Sequence, residues 1–393
     1  MAGTAVTREQ ILAYRLQRHH LARRLPAGAL AEAAAVCGLQ NSPPGAALLS
    51  LHARVAAASA AALDEALLAA KSLVQVWSVR AAPLLVPVPD AAIFTHGLLP
   101  GDEEETRCLM RGAVEHLQRS GLAATDLVNW TAAALDAVLD GRELTKDELG
   151  VELSRRLAQH IPAEQRELWI SPDEWGHFGE SLARFALNVV ALRGAFCLLS
   201  HPGRAATFVR ADQWLGQPFV APPDAAGELL RRYLAAYGPS TRAHFAQWAG
   251  IAPGQAQRSW QRLAGELVPV QWGRKTLWLH SGGLPGLLSA ELPPGVRLLP
   301  PHDPYLAARD RDLLLPNKSR HAQTWRTAGS PGVVLYNGAI VAIWRAQKKQ
   351  DDLQVTVAAF AVLPPTVRSA IEAEAGAVAL LRGCCRATVS FTL

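Results

Sequence analysis

Apolar positions recur at helical spacing along most of this chain. Three times the helices give way to two short apolar strands joined by a polar or basic turn. Thr7 with Gln10 reads as a capping box ahead of Ile11, Tyr14, Arg15 and Leu16. A second helix is predicted over 30–36 and stops at Gly38. The stretch 39–45 must stay extended, because Pro43 and Pro44 push their predecessors out of helical geometry. A helix resumes over 46–54, and strands at 74–79 and 84–86 form a hairpin with Arg80 near its turn.

The pattern repeats twice. Helices are predicted over 106–120 and 125–139. Another starts at Thr145, with Glu148 three residues on, and one over 181–192 carries Arg184 and Asn188 on a possible recognition face. Strands at 195–199 and 207–210 flank the basic turn His201-Pro202-Gly203-Arg204. After the proline-rich stretch 218–223 comes the clearest copy. A short helix runs through Phe245 and Trp248, Gly250 turns the chain, and Pro253 opens a helix bearing Arg258, Trp260 and Arg262. Strands at 267–270 and 276–280 then flank Gly273-Arg274-Lys275.

A helix-turn-helix followed by a basic hairpin is the layout of a winged helix, and three copies suggest a protein that wraps around a nucleic acid. Beyond residue 296 strands take over, at 297–300, 332–336, 339–345, 353–360 and 387–393, with a helix over 365–375 and a strong hairpin turn at Asn337-Gly338. That mixture predicts a small β-barrel or curled sheet with one helix. The expected fold is α+β: three tandem winged-helix domains at 1–89, 90–217 and 218–284, followed by a C-terminal β-barrel at 285–393.

Composition narrows the class. The chain has 393 residues, 50% apolar and 19% charged, which describes a globular protein with room for several cores. Its net charge of +5 permits a polyanionic partner without requiring one. Five cysteines without C-x-x-C spacing argue against zinc, iron–sulfur clusters and a disulfide framework, and for a reducing cytoplasm. The N-terminus lacks the apolar core of a signal peptide, and no apolar run is long enough to span a bilayer. No cofactor, metal or membrane partner is expected.

Several segments in this order resemble one known family. They are Gly38-Leu39-Gln40 before a helix ending His52-Ala53-Arg54, Trp77-Ser78-Val79-Arg80 before a strand, and Leu298-Leu299-Pro300-Pro301-His302-Asp303-Pro304-Tyr305. Arg309-Asp310-Arg311 and Val341-Ala342-Ile343-Trp344-Arg345 complete the set. The chain resembles the AlkZ/YcaQ family of winged-helix DNA glycosylases over nearly its whole length. The resemblance implies a C-shaped assembly with a concave DNA channel. It implies monofunctional, metal-free hydrolysis of bulky or cross-linked alkylpurines in double-stranded DNA. Three DNA-facing units in one chain leave no need for a dimer, so a monomer is expected, at work in a bacterial nucleoid. It also implies a catalytic loop of the form Gln-x-Gln or Gln-x-Asp, matched here by Gln40-Asn41-Ser42, with serine at the second catalytic position.

The chemistry asks little of such a loop. An N7- or N3-alkylated purine is already cationic, so the enzyme must position water and stabilise an oxocarbenium-like sugar. A glutamine carbonyl can accept from water while its amide donates elsewhere. Ser42 can orient water but offers no negative charge, so weak or lesion-restricted activity is expected, with Asn41 as a partial substitute. The plain alternative is a polar turn after a helix. Arg80, Arg54, His52 and Trp77 are further DNA-facing candidates, with Arg204, Arg274 and Lys275 as wing cations for phosphate. Each has a bland counterpart: a solvated hairpin arginine, a favourable charge at a helix end, a core tryptophan. Three functions follow in order: an alkylpurine glycosylase, a silent lesion-binding relative, and a winged-helix transcription regulator.

Overall fold

The structure is a computed structural model that describes residues 3–200, 204–326 and 328–393. His201, Pro202 and Gly203 of the expected second wing lie outside the described residues. The chain divides into two compact units. One comprises Met1–Ser72, Arg231–His244 and Ala264–Leu393; the other comprises Leu73–Leu230 and Phe245–Leu263. Among the described residues no single helix is long and apolar enough to cross a membrane.

The first unit opens with the helix Arg8–Arg18. Its capping box forms as expected: Gln10 N donates to Thr7 Oγ1 at 3.1 Å and Thr7 N to Gln10 Oε1 at 2.9 Å. One helix later, Gly38 takes a left-handed φ of 71°, and the chain runs extended through Leu39–Gln40 into the helix Ala46–Arg54. Leu267–Trp272 and Lys275–His280 form an antiparallel hairpin, extended by Thr4–Ala5 lying parallel to the former.

The C-terminal strands Val296–Leu299, Gly332–Tyr336, Ala339–Lys349, Asp352–Ala359 and Arg386–Thr392 lie side by side in chain order. This sheet stays open, which corrects the expected barrel. Its last strand is parallel to its neighbour, so the chain must cross over between them, and the helix Pro365–Leu381 makes that connection. Val367, Ile371 and Val378 of this helix pack on Leu298, Val334 and Trp344 of the sheet. With its apolar face covered in this way, the sheet has no need to curl closed. Leu49 of the helix Ala46–Arg54 joins the same core.

Two arginines lie inside this unit, each 1% exposed. Arg54 grips Asp303 through two 2.7 Å hydrogen bonds and donates a third, at 2.9 Å, to the Ser50 carbonyl. Arg15 grips Asp310 at 2.7 and 2.9 Å and donates to the carbonyls of Gly238 and Pro239. Burial works against the Arg54 charge, but the Asp303 carboxylate outweighs it and holds the guanidinium above its ordinary value. Between the two pairs sits His19, fully buried, edge-on to Tyr237 and Tyr305. The segments 302–305 and 309–311, noted above for their sequence, are thus the acidic partners of two N-terminal helices.

The second unit is built on five antiparallel strands in the order Pro83–Pro87, Leu73–Trp77, Phe196–Leu199, Thr207–Arg210 and Leu144–Thr145. The hairpins expected for two separate wings therefore share one sheet. The helix Phe178–Val190, expected to present Arg184 outward, runs through the core instead. Arg184 is 7% exposed, lies 3.1 Å from Glu180 and donates to the Trp175 carbonyl at 2.6 Å. The helix Pro253–Arg262 has its charges answered in the same unit. Arg258 meets Glu105 at 2.5 Å, and Arg262 meets Asp224 at 3.1 Å.

Removing one partner of a buried pair strands the other charge, which costs about 3–5 kcal/mol. Asp303→Ala should therefore lower the urea midpoint sharply, whereas Asp352→Ala, at the exposed pair with Arg386, should leave it unmoved. His19 adds a pH dependence. Burial first, then Arg54 and Arg15, hold its imidazole well below the ordinary value. Below about pH 6.5 the unfolded chain takes up a proton that the folded chain refuses, so stability is full above that pH and falls as pH drops, by up to about 1.4 kcal/mol per unit. Urea midpoints measured from pH 7.5 to 5.5 should decline, and His19→Phe, which keeps the aromatic packing, should flatten the slope.

Candidate active-site loop and DNA-facing residues

Gln40, Asn41 and Ser42 lie between the short strand Leu39–Gln40 and the helix Ala46–Arg54. Leu39 is buried and anchors the loop, Gln40 and Asn41 are half-buried, and Ser42 is exposed. The three side chains differ in what they do. Asn41 Oδ1 accepts from Gly45 N at 3.0 Å and Ala47 N at 3.5 Å, which ties the loop to the start of the helix. Gly45 supplies the left-handed φ of 87° that the start of this helix requires. Gln40 Nε2 donates across the loop to the Ser42 carbonyl at 3.3 Å. Its Oε1 accepts from none of the described residues and stays available to water.

The far end of the same helix is anchored in the interior. Arg54, expected as a DNA contact, is an interior cation committed to Asp303. His52 is half-buried, and its carbonyl accepts from Arg24 Nε at 2.9 Å. Burial first, then Arg24 and Arg297 against the opposing Glu374, hold its imidazole below the ordinary value. It is neutral near pH 7 and poorly suited to phosphate. Trp77 is 8% exposed and edge-on to Phe208 and Phe196, at 4.9 and 5.9 Å, so it packs a core and presents no face for stacking on a base.

The remaining cations are at the surface. Arg274 and Lys275 are exposed at the tip of their hairpin, with Lys275 Nζ 5.2 Å from the centre of the Trp272 ring. Arg204 is exposed beside the undescribed turn residues. Arg80 is exposed too, and its backbone is unusual. Arg80 and Ala81 have φ of 57° and 54°, the central pair of a type I′ turn closed by Ala82 N donating to Val79 O. Such turns favour Asn-Gly, and a residue with a Cβ costs roughly 1–2 kcal/mol there. The Arg80 side chain donates to the Trp248 carbonyl. Among the described residues, no group of three His, Cys, Asp or Glu side chains could hold a metal ion.

Sequence reasoning missed Asp303 and Asp310 as partners. The signal was there: Arg15 falls among the inward positions Ile11, Leu12 and Leu16, where an arginine requires an acid.

Residues 33–381 match the family model described as DNA glycosylase AlkZ-like. The chain belongs to the AlkZ-like DNA glycosylase family. An interstrand DNA cross-link repair glycosylase of Streptomyces sahachiroi is 27% identical, with 97% of this chain and 98% of that one aligned. The solved structure of Streptomyces sahachiroi DNA glycosylase AlkZ superposes with a TM-score of 0.76 at 23% identity, covering 99% of this chain and all of that one, and it shares the fold. Within this AlkZ-like chain the loop depends on Asn41 for its shape. Asn41→Ala should cost about 1 kcal/mol, the usual loss of a side-chain cap, and should speed amide exchange at residues 45–47 before any global unfolding.

Proposed function

We propose that this protein is a monofunctional DNA glycosylase that hydrolyses the N-glycosidic bond of bulky or cross-linked N7- or N3-alkylpurines. The observation that carries this reading is the division of labour in the loop. Asn41 and the buried Leu39 fix the backbone, while the Gln40 carbonyl remains unpartnered at the half-open surface. A carbonyl held in that way accepts a hydrogen bond from water and aims its lone pair at the anomeric carbon. The alkylated base leaves as a neutral purine, so no general acid is required. Ser42, exposed two residues on, orients the same water without adding charge. The repair of interstrand cross-links by the Streptomyces relative supports a cross-linked or otherwise bulky substrate. Arg274, Lys275, Arg204 and Arg80, exposed at turns and hairpin tips, suit phosphate contacts that set affinity rather than sequence.

A second reading rests on Ser42. Without a carboxylate or carboxamide at that position, the loop stabilises the sugar cation less, and a lesion-binding protein without turnover results. One preorganised polar group at such a site is worth on the order of 3 kcal/mol of barrier, a hundredfold or more in rate.

A duplex carrying N7-alkylguanine, incubated with the protein and then cleaved with alkali at abasic sites, separates the two. Release is expected, with Gln40→Ala slower by about a hundredfold and Ser42→Asp faster than the parent. Tight binding with no release above the spontaneous rate would instead select the silent lesion binder.

A further inference from the structure

Arg309 and Arg311 flank Asp310 in the first unit, and Asp310 does not neutralise them. Both of its carboxylate oxygens accept from the buried Arg15, at 2.9 and 2.7 Å. Asp312, the next acid along the chain, meets Lys318 at 3.2 Å. Among the described residues neither Arg309 nor Arg311 pairs with a carboxylate, unlike Arg24 with Glu374 and Arg386 with Asp352 in the same unit.

Both guanidiniums are partly enclosed. Arg309 is half-buried, and its Nε is sealed from solvent with no hydrogen-bond partner. Burial first, then the neighbouring Arg311 charge, hold this guanidinium below its ordinary value. The other groups that act on it are the phenols of Tyr237 and Tyr233, not carboxylates. Arg311 is also half-buried, and its Cζ lies 5.0 Å from the centre of the Trp325 ring. A guanidinium over an aromatic face keeps its N–H edge free for oxygen ligands.

The mount is rigid. Arg15 pins Asp310 between the two arginines. Arg8 donates to the carbonyls of Leu313 and Leu314 at 2.8 and 3.3 Å, which closes the short helix Arg311–Leu314. Trp325 Nε1 donates to the Leu306 carbonyl at 3.1 Å and so fixes the plate beside Arg311. Two like charges, partly desolvated and held near each other without an acid, lower the stability of the free protein. A bound anion removes that cost. Phosphate fits best, because its oxygens accept from two planar forks at once and DNA presents one at every nucleotide.

We propose that Arg309 and Arg311 form a clamp for a phosphate group, and that this group is a backbone phosphodiester of bound DNA. The DNA source rests on the glycosylase reading above; free phosphate offers the same chemistry.

Duplex affinity is measured by fluorescence anisotropy across a salt series for the full chain, for Arg309→Met, for Arg311→Gln, for both together, and for Arg386→Gln as a control. Each single change in the clamp should weaken binding and reduce the slope of log affinity against log salt by about one, and the two together by about two, with the control matching the parent. Urea midpoints without DNA separate binding from structure. Arg309→Met keeps a long side chain and removes the unpaired charge, so its midpoint should rise, whereas loss of a structural arginine would lower it. Inorganic phosphate should raise the midpoint of the parent more than that of the double variant. Parental affinity and slope in the double variant, or a lowered midpoint for Arg309→Met, would overturn the proposal. A phosphate effect lost in the double variant while duplex binding is unchanged would overturn the DNA assignment and give the clamp to a free phosphate ligand. If the parent binds no duplex at all, the glycosylase reading fails, and the phosphate arm still decides the clamp.

Discussion

The Arg54–Asp303 pair is the constraint on which the first unit depends. A guanidinium and a carboxylate, 1% and 0% exposed, tolerate burial only with a matched partner and near-ideal geometry. Arg54 sits on the last turn of the helix that follows the Gln40 loop. Asp303 is more than two hundred residues later, where it also accepts from Tyr305 N at 2.9 Å. The pair therefore fixes the end of that helix relative to the C-terminal segment, and Leu49 fixes its middle against the C-terminal sheet. With both points held, the start of the helix, and so the loop, has a defined position. Arg15 and Asp310 repeat the device one helix earlier.

A loop held in this manner can keep one side chain uncommitted. Asn41 takes the structural work that the loop needs, accepting from the helix start. Gln40 is restrained through its amide but not through its carbonyl. That asymmetry is useful chemically, because a carboxamide whose nitrogen is fixed has a defined direction for its oxygen. Serine at position 42 leaves the loop without a negative charge.

The cations that the sequence singles out meet two different physical fates. Those on helices that pack inside a unit are neutralised: Arg184 by Glu180, Arg258 by Glu105, Arg262 by Asp224. Those at turns and hairpin tips, Arg80, Arg204, Arg274 and Lys275, stay exposed. A helix-turn-helix pattern points first to its second helix as the reader of bases. Here Arg258 and Arg262 of that helix are paired with acids in the second unit, so they are not the groups that helix offers to a polyanion. Contacts from turns and hairpin tips suit phosphate rather than base edges.

Local signals were legible from the sequence because they act over three or four residues. The capping boxes at Thr7–Gln10 and Thr145–Glu148, the left-handed Gly38 and Gly250, and the Asn337-Gly338 turn all form as their chemistry dictates. The motif Gln40-Asn41-Ser42 was also visible as a candidate loop. What each charged or aromatic side chain faces was not. Arg54 and Trp77 read as DNA contacts and became interior groups, because Asp303 and Phe208 lie far away in sequence and only folding brings them near. The expected barrel became an open sheet for a similar reason: the strands were readable one by one, but the pairing of the last strand depends on where a crossover helix packs. Propensity and capping are properties of a short stretch of chain, whereas burial is a property of everything that surrounds it.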